Sequence, residues 1–198
     1  MIKKQETRNK KQKDRGFTLI EIMTALSIFI LVMTVSMGSI ISVFDTNRKS
    51  RSLKVVMSNL NIALETMSRE IRFGRNYHCE LDNKTAGNFG PPLNCNVPGG
   101  GKLISFLSND GNQIVYVLND DGAIEASYDG GDNYEAITGP EIDIKNLSFY
   151  VIGAGTAPEN TLQPRVYINI KGEAGEAEKT KTSFSLQTMI SQRYLDNP

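Results

Sequence analysis

Between Ile22 and Phe44 the chain runs 23 residues without a charged side chain, and Ile, Leu, Val, Met and Phe dominate the run. A helix of that length rises about 35 Å, enough to cross the roughly 30 Å hydrocarbon layer of a bilayer. The run therefore reads as a membrane span. A secretory signal peptide has a shorter apolar core, about 7–15 residues, and ends at a small-residue cleavage site. Neither condition is met between Phe44 and Arg51. No Cys lies near the run, so a lipid attached through cysteine at this end is not expected. Gly38, flanked by Ser36 and Ser39, reads either as a tolerated small residue or as a point of bending or close helix contact.

The 198 residues carry 22 basic and 22 acidic side chains, and this zero balance hides a segregation. Residues 1–15 hold Lys3, Lys4, Arg8, Lys10, Lys11, Lys13 and Arg15 against Glu6 and Asp14, a charge of +5 that leaves −5 for the rest. A basic end beside an apolar run is the pattern that keeps an N-terminus in the cytoplasm, whereas a nucleic-acid reader more often spreads its cations over a folded face. Nucleic acid is therefore a disfavoured partner, although a local basic patch can override an acidic sum.

Helical periodicity continues past the span. Leu53, Val56, Met57, Leu60, Leu64, Met67 and Ile71 recur at spacings of three and four, while Arg51, Lys54, Asn59, Glu65, Arg69 and Arg72 fall mostly elsewhere. This amphipathic half should lay its stripe on a folded domain, with Gly74 as the stop. From Phe17 to Phe73 the helix would rise about 85 Å.

After Gly74 the pattern changes to short strands: "KLISFLS" (102–108), "QIVYVLN" (113–119), "AIEASYD" (123–129), "IDIKNLSFYVI" (142–152), "RVYINIK" (165–171) and "TSFSLQTMISQR" (182–193). Their separators "NDGN", "DDG" and "GGDN" suit tight hairpins. In the last three, Leu147, Phe149 and Val151, then Val166, Ile168 and Ile170, then Phe184, Leu186 and Ile190 alternate onto one face. The expected fold class is α+β: a long N-terminal helix, membrane-spanning in its first half and amphipathic in its second, packed on an antiparallel sheet.

Cys79 and Cys95 enclose 15 residues rich in Gly, Pro and Asn. Outside the cytoplasm they are expected to pair, and closing that loop stabilises a fold by about 3 kcal/mol in the chain-entropy model. Zinc is the rival reading, and His78 supplies only a third ligand for it. "DGGDN" (129–133), with Asp120 and Asp121, offers oxygens for calcium but lacks EF-hand spacing, so hairpin turns are the expected use. No phosphate loop, GxSxG or HExxH motif is present, and His78 is the only histidine. Catalysis, a cofactor and a metal are not expected. Asn83 and Asn146 match the Asn-x-Ser/Thr pattern, a weak signal without a known host.

The stretch "RGFTLIEIM" resembles the processing site of type IV pilins and the related pseudopilins, with the basic leader, Gly16, Phe17, Thr18, Leu19, Glu21 and the apolar run in order. The resemblance implies that a membrane-embedded prepilin peptidase cuts between Gly16 and Phe17, methylates the new amine of Phe17 and leaves 182 of the 198 residues. It implies a leader at 1–16, a membrane or filament-core helix at 17–44, an amphipathic helix half at 45–76 and a globular sheet domain at 77–198. The implied place is the bacterial inner membrane, single-pass, with the C-terminal domain periplasmic or extracellular. Implied partners are other pilin or pseudopilin subunits through their N-terminal helices, an inner-membrane assembly platform and lipid. "YDGGDNYEAITGPEIDIKNLSFYVIG" and "TSFSLQTMISQR" look like segments of J-type minor pseudopilins and minor pilins. Cysteines that follow the helix, and Gly38 where many major pilins carry proline, depart from a major pilin. The alternatives are a membrane-anchored extracytoplasmic binding protein, a major pilin or a subunit of a DNA-uptake pilus.

Glu21 is a lone anion at the edge of the apolar run, and an isolated carboxylate in hydrocarbon costs a few kcal/mol. After cleavage, Phe17 would supply a positive amine four residues away on the same helix face, which makes Glu21 a partner of its own terminus. By resemblance, Glu21 instead meets the amine of a neighbouring subunit in the filament. Other axial registers then leave a charge unpaired at low dielectric.

Overall fold

The computed structural model describes residues 16–82, 90–155, 162–174 and 181–193; the leader residues before Gly16 and Asn83 lie outside them. One helix, α1, runs Leu19–Phe73. Eight strands follow: β1 (Arg75–Glu80), β2 (Leu103–Leu107), β3 (Gln113–Leu118), β4 (Ile124–Ser127), β5 (Glu135–Ala136), β6 (Ile142–Ile152), β7 (Arg165–Ala174) and β8 (Thr182–Ser191). The chain divides into two compact units between Phe44 and Asp45.

In the second unit, the helix stripe is buried as its spacing predicts. Val56, Leu60, Ala63, Met67 and Ile71 are buried, and Leu53, Met57 and Leu64 pack against the same core. The strands form two antiparallel sheets, β1-β2-β3-β4-β5 and β6-β7-β8, where the alternation alone suggested one. They meet where Gly101 and Phe149 exchange N–H···O bonds of 2.7 and 2.8 Å and where Ile144 N–H donates to Gly122 O at 2.8 Å. Ile104, Phe106, Ile114 and Tyr116 from the first sheet join Leu147, Phe149, Val151, Val166, Ile168, Ile170, Phe184 and Ile190 from the second in one core with the helix. The first sheet also buries its other face, where Leu103, Val115 and Val117 cluster with Tyr134. Burial on both faces is why β2 and β3 read as continuous apolar runs instead of alternating.

Helix α1 stops where the stop signal stands. A Cβ on Gly74 would run into Cδ2 of Phe106, so any larger residue displaces a fully buried ring. The carbonyls at the helix end have partners from beyond the helix. Tyr77 Oη shares its one proton between Ile71 O and Gly74 O, at 2.5 and 2.9 Å, Arg193 N–H donates to Arg72 O at 2.8 Å, and Gln192 Nε2 donates to Gly74 O at 3.0 Å. β1 carries no apolar run. It departs from regular pairing at a bulge between Arg75 and His78, where Asn76 takes φ 54°, a conformation Asn tolerates better than most residues.

Tyr116 is fully buried and its hydroxyl donates to Glu70 Oε2. Burial, then the Glu70 hydrogen bond, pushes its ionisation far above the ordinary phenol value of 10.0. The folded chain thus holds the phenol proton after the unfolded chain has lost it. Stability from this source is intact below pH 10 and falls above it, by about 1.4 kcal/mol per pH unit. Denaturant midpoints of the parent should drop between pH 10 and 11, whereas Tyr116→Phe, weaker at neutral pH, should lose less over that interval.

Candidate functional site: the entry of the apolar helix

Gly16, Phe17 and Thr18 precede the helix, and Thr18 is its N-cap. Thr18 Oγ1 lies 3.4 Å from the Glu21 N–H, and the Glu21 carboxylate reaches back to the Thr18 N–H and hydroxyl at 3.5 Å. Thr-x-x-Glu is the capping box, in which the cap and the third helical residue satisfy each other's amides. Here the contacts are long for hydrogen bonds, so the box is loosely closed. Placing Glu21 in the first turn also sets an anion against the positive end of the helix dipole.

In the uncut chain Phe17 precedes the helix, which begins at Leu19, and its nitrogen is part of the Gly16–Phe17 peptide bond. Thr18 as a cap goes unread in the motif, although the Thr-x-x-Glu spacing is its signature.

Downstream of the cap, the large apolar side chains from Leu19 to Phe44 are all exposed. Four hydroxyls within this stretch turn inward on their own backbone. Thr24 donates to Glu21 O at 3.0 Å, Ser27 to Met23 O at 2.8 Å, Thr34 to Leu31 O at 2.8 Å and Ser36 to Val32 O at 2.8 Å. A helix surface whose polar groups are satisfied within the segment is what hydrocarbon requires. α1 is the one described helix long and apolar enough to cross a membrane. A Cβ on Gly38 would meet nothing within 4 Å, so in this chain the glycine makes no close approach.

The remaining candidates are engaged elsewhere. Cys79 and Cys95 form a disulfide, with 5.7 Å between their Cα atoms. His78 beside it is buried, its Nδ1 2.8 Å from Pro91 O and its Nε2 2.8 Å from Glu80 Oε1. With the Leu93 N–H donating to Tyr77 O at 3.0 Å, these contacts hold residues 90–95 along β1. Asp129 builds a turn. The Asn133 N–H, the Ser127 hydroxyl and the Asn133 side chain hold its carboxyl well below the usual carboxylate range. Asp120 and Asp121 line a polar cleft of about 610 Å³ with Lys102, Asp143 and Lys145. Among the described residues no three His, Cys, Asp or Glu side chains are placed to hold a metal ion. Asn146 lies in β6 at its bulge.

Residues 11–37 match the family model described as the prokaryotic N-terminal methylation motif. Nothing among the curated proteins and nothing among the solved structures matches the chain. The match covers the cap, Glu21 and the first part of the bare helix. Together with the α+β fold, it defines a chain with a prepilin-type signal and an apolar helix suited to membrane anchoring. That combination supports a type IV pilin-like subunit.

Proposed function

We propose that this chain is a minor pilin or pseudopilin, closest in kind to the J-type minor pseudopilins, that works as a non-enzymatic filament subunit. It enters the bacterial inner membrane as a precursor with its C-terminal part outside the cytoplasm. Prepilin peptidase cuts between Gly16 and Phe17 and methylates the Phe17 amine, and an inner-membrane platform draws the subunit into a secretion pseudopilus or a pilus-like filament. In the filament the bare apolar helices bury each other, and Glu21 pairs with the Phe17 amine of a neighbour. The observation that carries this reading is that the methylation motif at 11–37 falls on the same residues as a capped, wholly exposed apolar helix. A plain anchor needs the helix but neither the Gly16–Phe17 junction nor Glu21.

The test is the mass of the chain extracted from its native membrane. Loss of residues 1–16 with a methylated Phe17 is expected, and Gly16→Leu should retain the leader in full. An uncut working form would overturn the proposal and favour an anchored binding protein outside any filament.

A further inference from the structure

The apolar run is followed as well as preceded by cations. Beyond Phe44 the stretch "DTNRKSRSLK" (45–54) holds Arg48, Lys49, Arg51 and Lys54 against Asp45 alone, a charge of +3. Residues 55–198 carry 11 basic and 18 acidic side chains, a charge of −7. The four cations are therefore not part of a generally basic head, but a band confined to the ten residues after the run. They are not an orientation signal either. Cations beside a span favour the cytoplasmic side, so these four oppose the seven of residues 1–15, which outnumber them. Their place calls for another use.

All ten residues are helical within α1, and the four cations are exposed. Arg48, Arg51 and Lys54 recur every three residues, so they follow one side of the helix, turned away from the buried Val56 and Leu60. Among the described residues the ion pairs are His78–Glu80, Lys145–Asp143 and Lys181–Glu173, so no carboxylate takes up the band, Asp45 included.

Connectivity limits where the band can go. A chain covers at most about 3.6 Å per residue when extended and about 1.5 Å when helical, so Arg48 and Lys49, the fourth and fifth residues after Phe44, stay close to the end of the run. The headgroup region outside the hydrocarbon is about 5–8 Å deep on each side. With the run in a bilayer, the band lies at the headgroups or within about 8 Å of them, one Debye length at physiological ionic strength.

We propose that residues 48–54 bind anionic glycerophospholipids of the leaflet on the head's side of the membrane. The guanidinium groups of Arg48 and Arg51 match a headgroup phosphate as a fork, and Lys49 and Lys54 add point charges. A zwitterionic headgroup carries its own cation beside the phosphate, so the band selects lipids of net negative charge. The acidic remainder of the head is repelled by the same surface, which confines the contact to the band. The contact holds the subunit at the bilayer, and withdrawal into a filament has to break it. It rests on the proposed insertion of the span, and needs neither leader removal nor a filament.

Lipid selectivity in vesicles tests this. The chain has no Trp, so Ile40→Trp, at an exposed position four residues before the end of the run, is a sole reporter of the lipid beside it. The full chain with this substitution is placed in phosphatidylcholine vesicles containing a matched fraction of lipid with brominated acyl chains, either phosphatidylglycerol or phosphatidylcholine. Bromine quenches a Trp that it touches. Brominated phosphatidylglycerol should associate roughly fivefold more strongly than brominated phosphatidylcholine, the attraction of about one cation for one anionic headgroup. Gln at all four positions 48, 49, 51 and 54 should bring the ratio toward one, and Gln suits an exposed helix, so the fold is not at stake. Arg48→Lys with Arg51→Lys should keep the preference, as should Arg69→Gln with Arg72→Gln, equally exposed but far along the helix. A ratio near one in the parent would overturn the proposal and point to acidic faces of neighbouring proteins as the band's partner. A preference that survives the four Gln, or that falls equally with Arg69 and Arg72, would also overturn it. Both leaflets of such vesicles are alike, so orientation does not enter. The mass of the native chain reports separately on processing at Gly16.

Discussion

Glu21→Gln is expected to be cut and methylated normally, yet to enter filaments as poorly as Glu21→Ala. The two variants separate the local capping role of the carboxylate from the intersubunit role proposed for it. Gln keeps the capping box, since an amide oxygen at the third helical position accepts from the cap amide as a carboxylate does. It removes only the charge. At 3.5 Å the contacts of Glu21 with Thr18 are weak, so the local cap contributes little beside the charge. A neighbour's amine left unpaired in an apolar bundle costs about 3–5 kcal/mol, more than a hundredfold in an assembly equilibrium. The readout is the ratio of subunit in sheared filaments to subunit in membranes, by quantitative mass spectrometry. If Glu21→Gln assembles like the parent while Glu21→Ala does not, the carboxylate serves its own helix and the pairing between subunits is wrong.

The second large effect is on stability. Phe106→Ala should cost about 3–5 kcal/mol, the range for removing a buried aromatic ring. Phe106 is fully buried, its ring centroid 6.0 Å from those of both Tyr77 and Tyr116, and it fills the space that Gly74 leaves beside the helix end. Few neighbours can collapse into the gap. Tyr77 is held by the carbonyls of Ile71 and Gly74, and Tyr116 by Glu70, so both rings are fixed at their tips. In a folded unit of about 150 residues such a loss lowers the melting temperature by on the order of 10 °C. Leu186→Ala, at a half-buried site in the same core, should cost far less. Similar shifts for the two variants would mean that the aromatic column is not the centre of the packing.

Much of this architecture is legible in the residues because its signals are local. The helix stripe from Leu53 to Ile71, the stop at Gly74 and strands β2, β3, β4, β6, β7 and β8 all follow from period and punctuation. What escapes is non-local. β1, "RNYHCE", has no apolar period; it is a strand because Cys79, His78 and Tyr77 are tied to residues 90–95 and to the helix end. β5 is two residues with no pattern of their own, paired to Glu125 and Ala126. The division into two sheets is equally hidden, since alternation says which side chains share a face but not which strands share a ladder. At the N-terminus, composition announces the span, while the start of the helix is marked only by the loosely closed cap at Thr18.

The bonds from Gln192 and Arg193 to the end of α1 bear on how the molecule is made. Carbonyls near residue 72, produced early, wait for donors that leave the ribosome more than a hundred residues later. β8, with the residues just after it, is therefore the closing piece, and the head cannot reach its final state until the C-terminal segment is free. Under the proposed topology, export through the membrane must be finished before folding is, which keeps an incomplete chain from presenting a finished head.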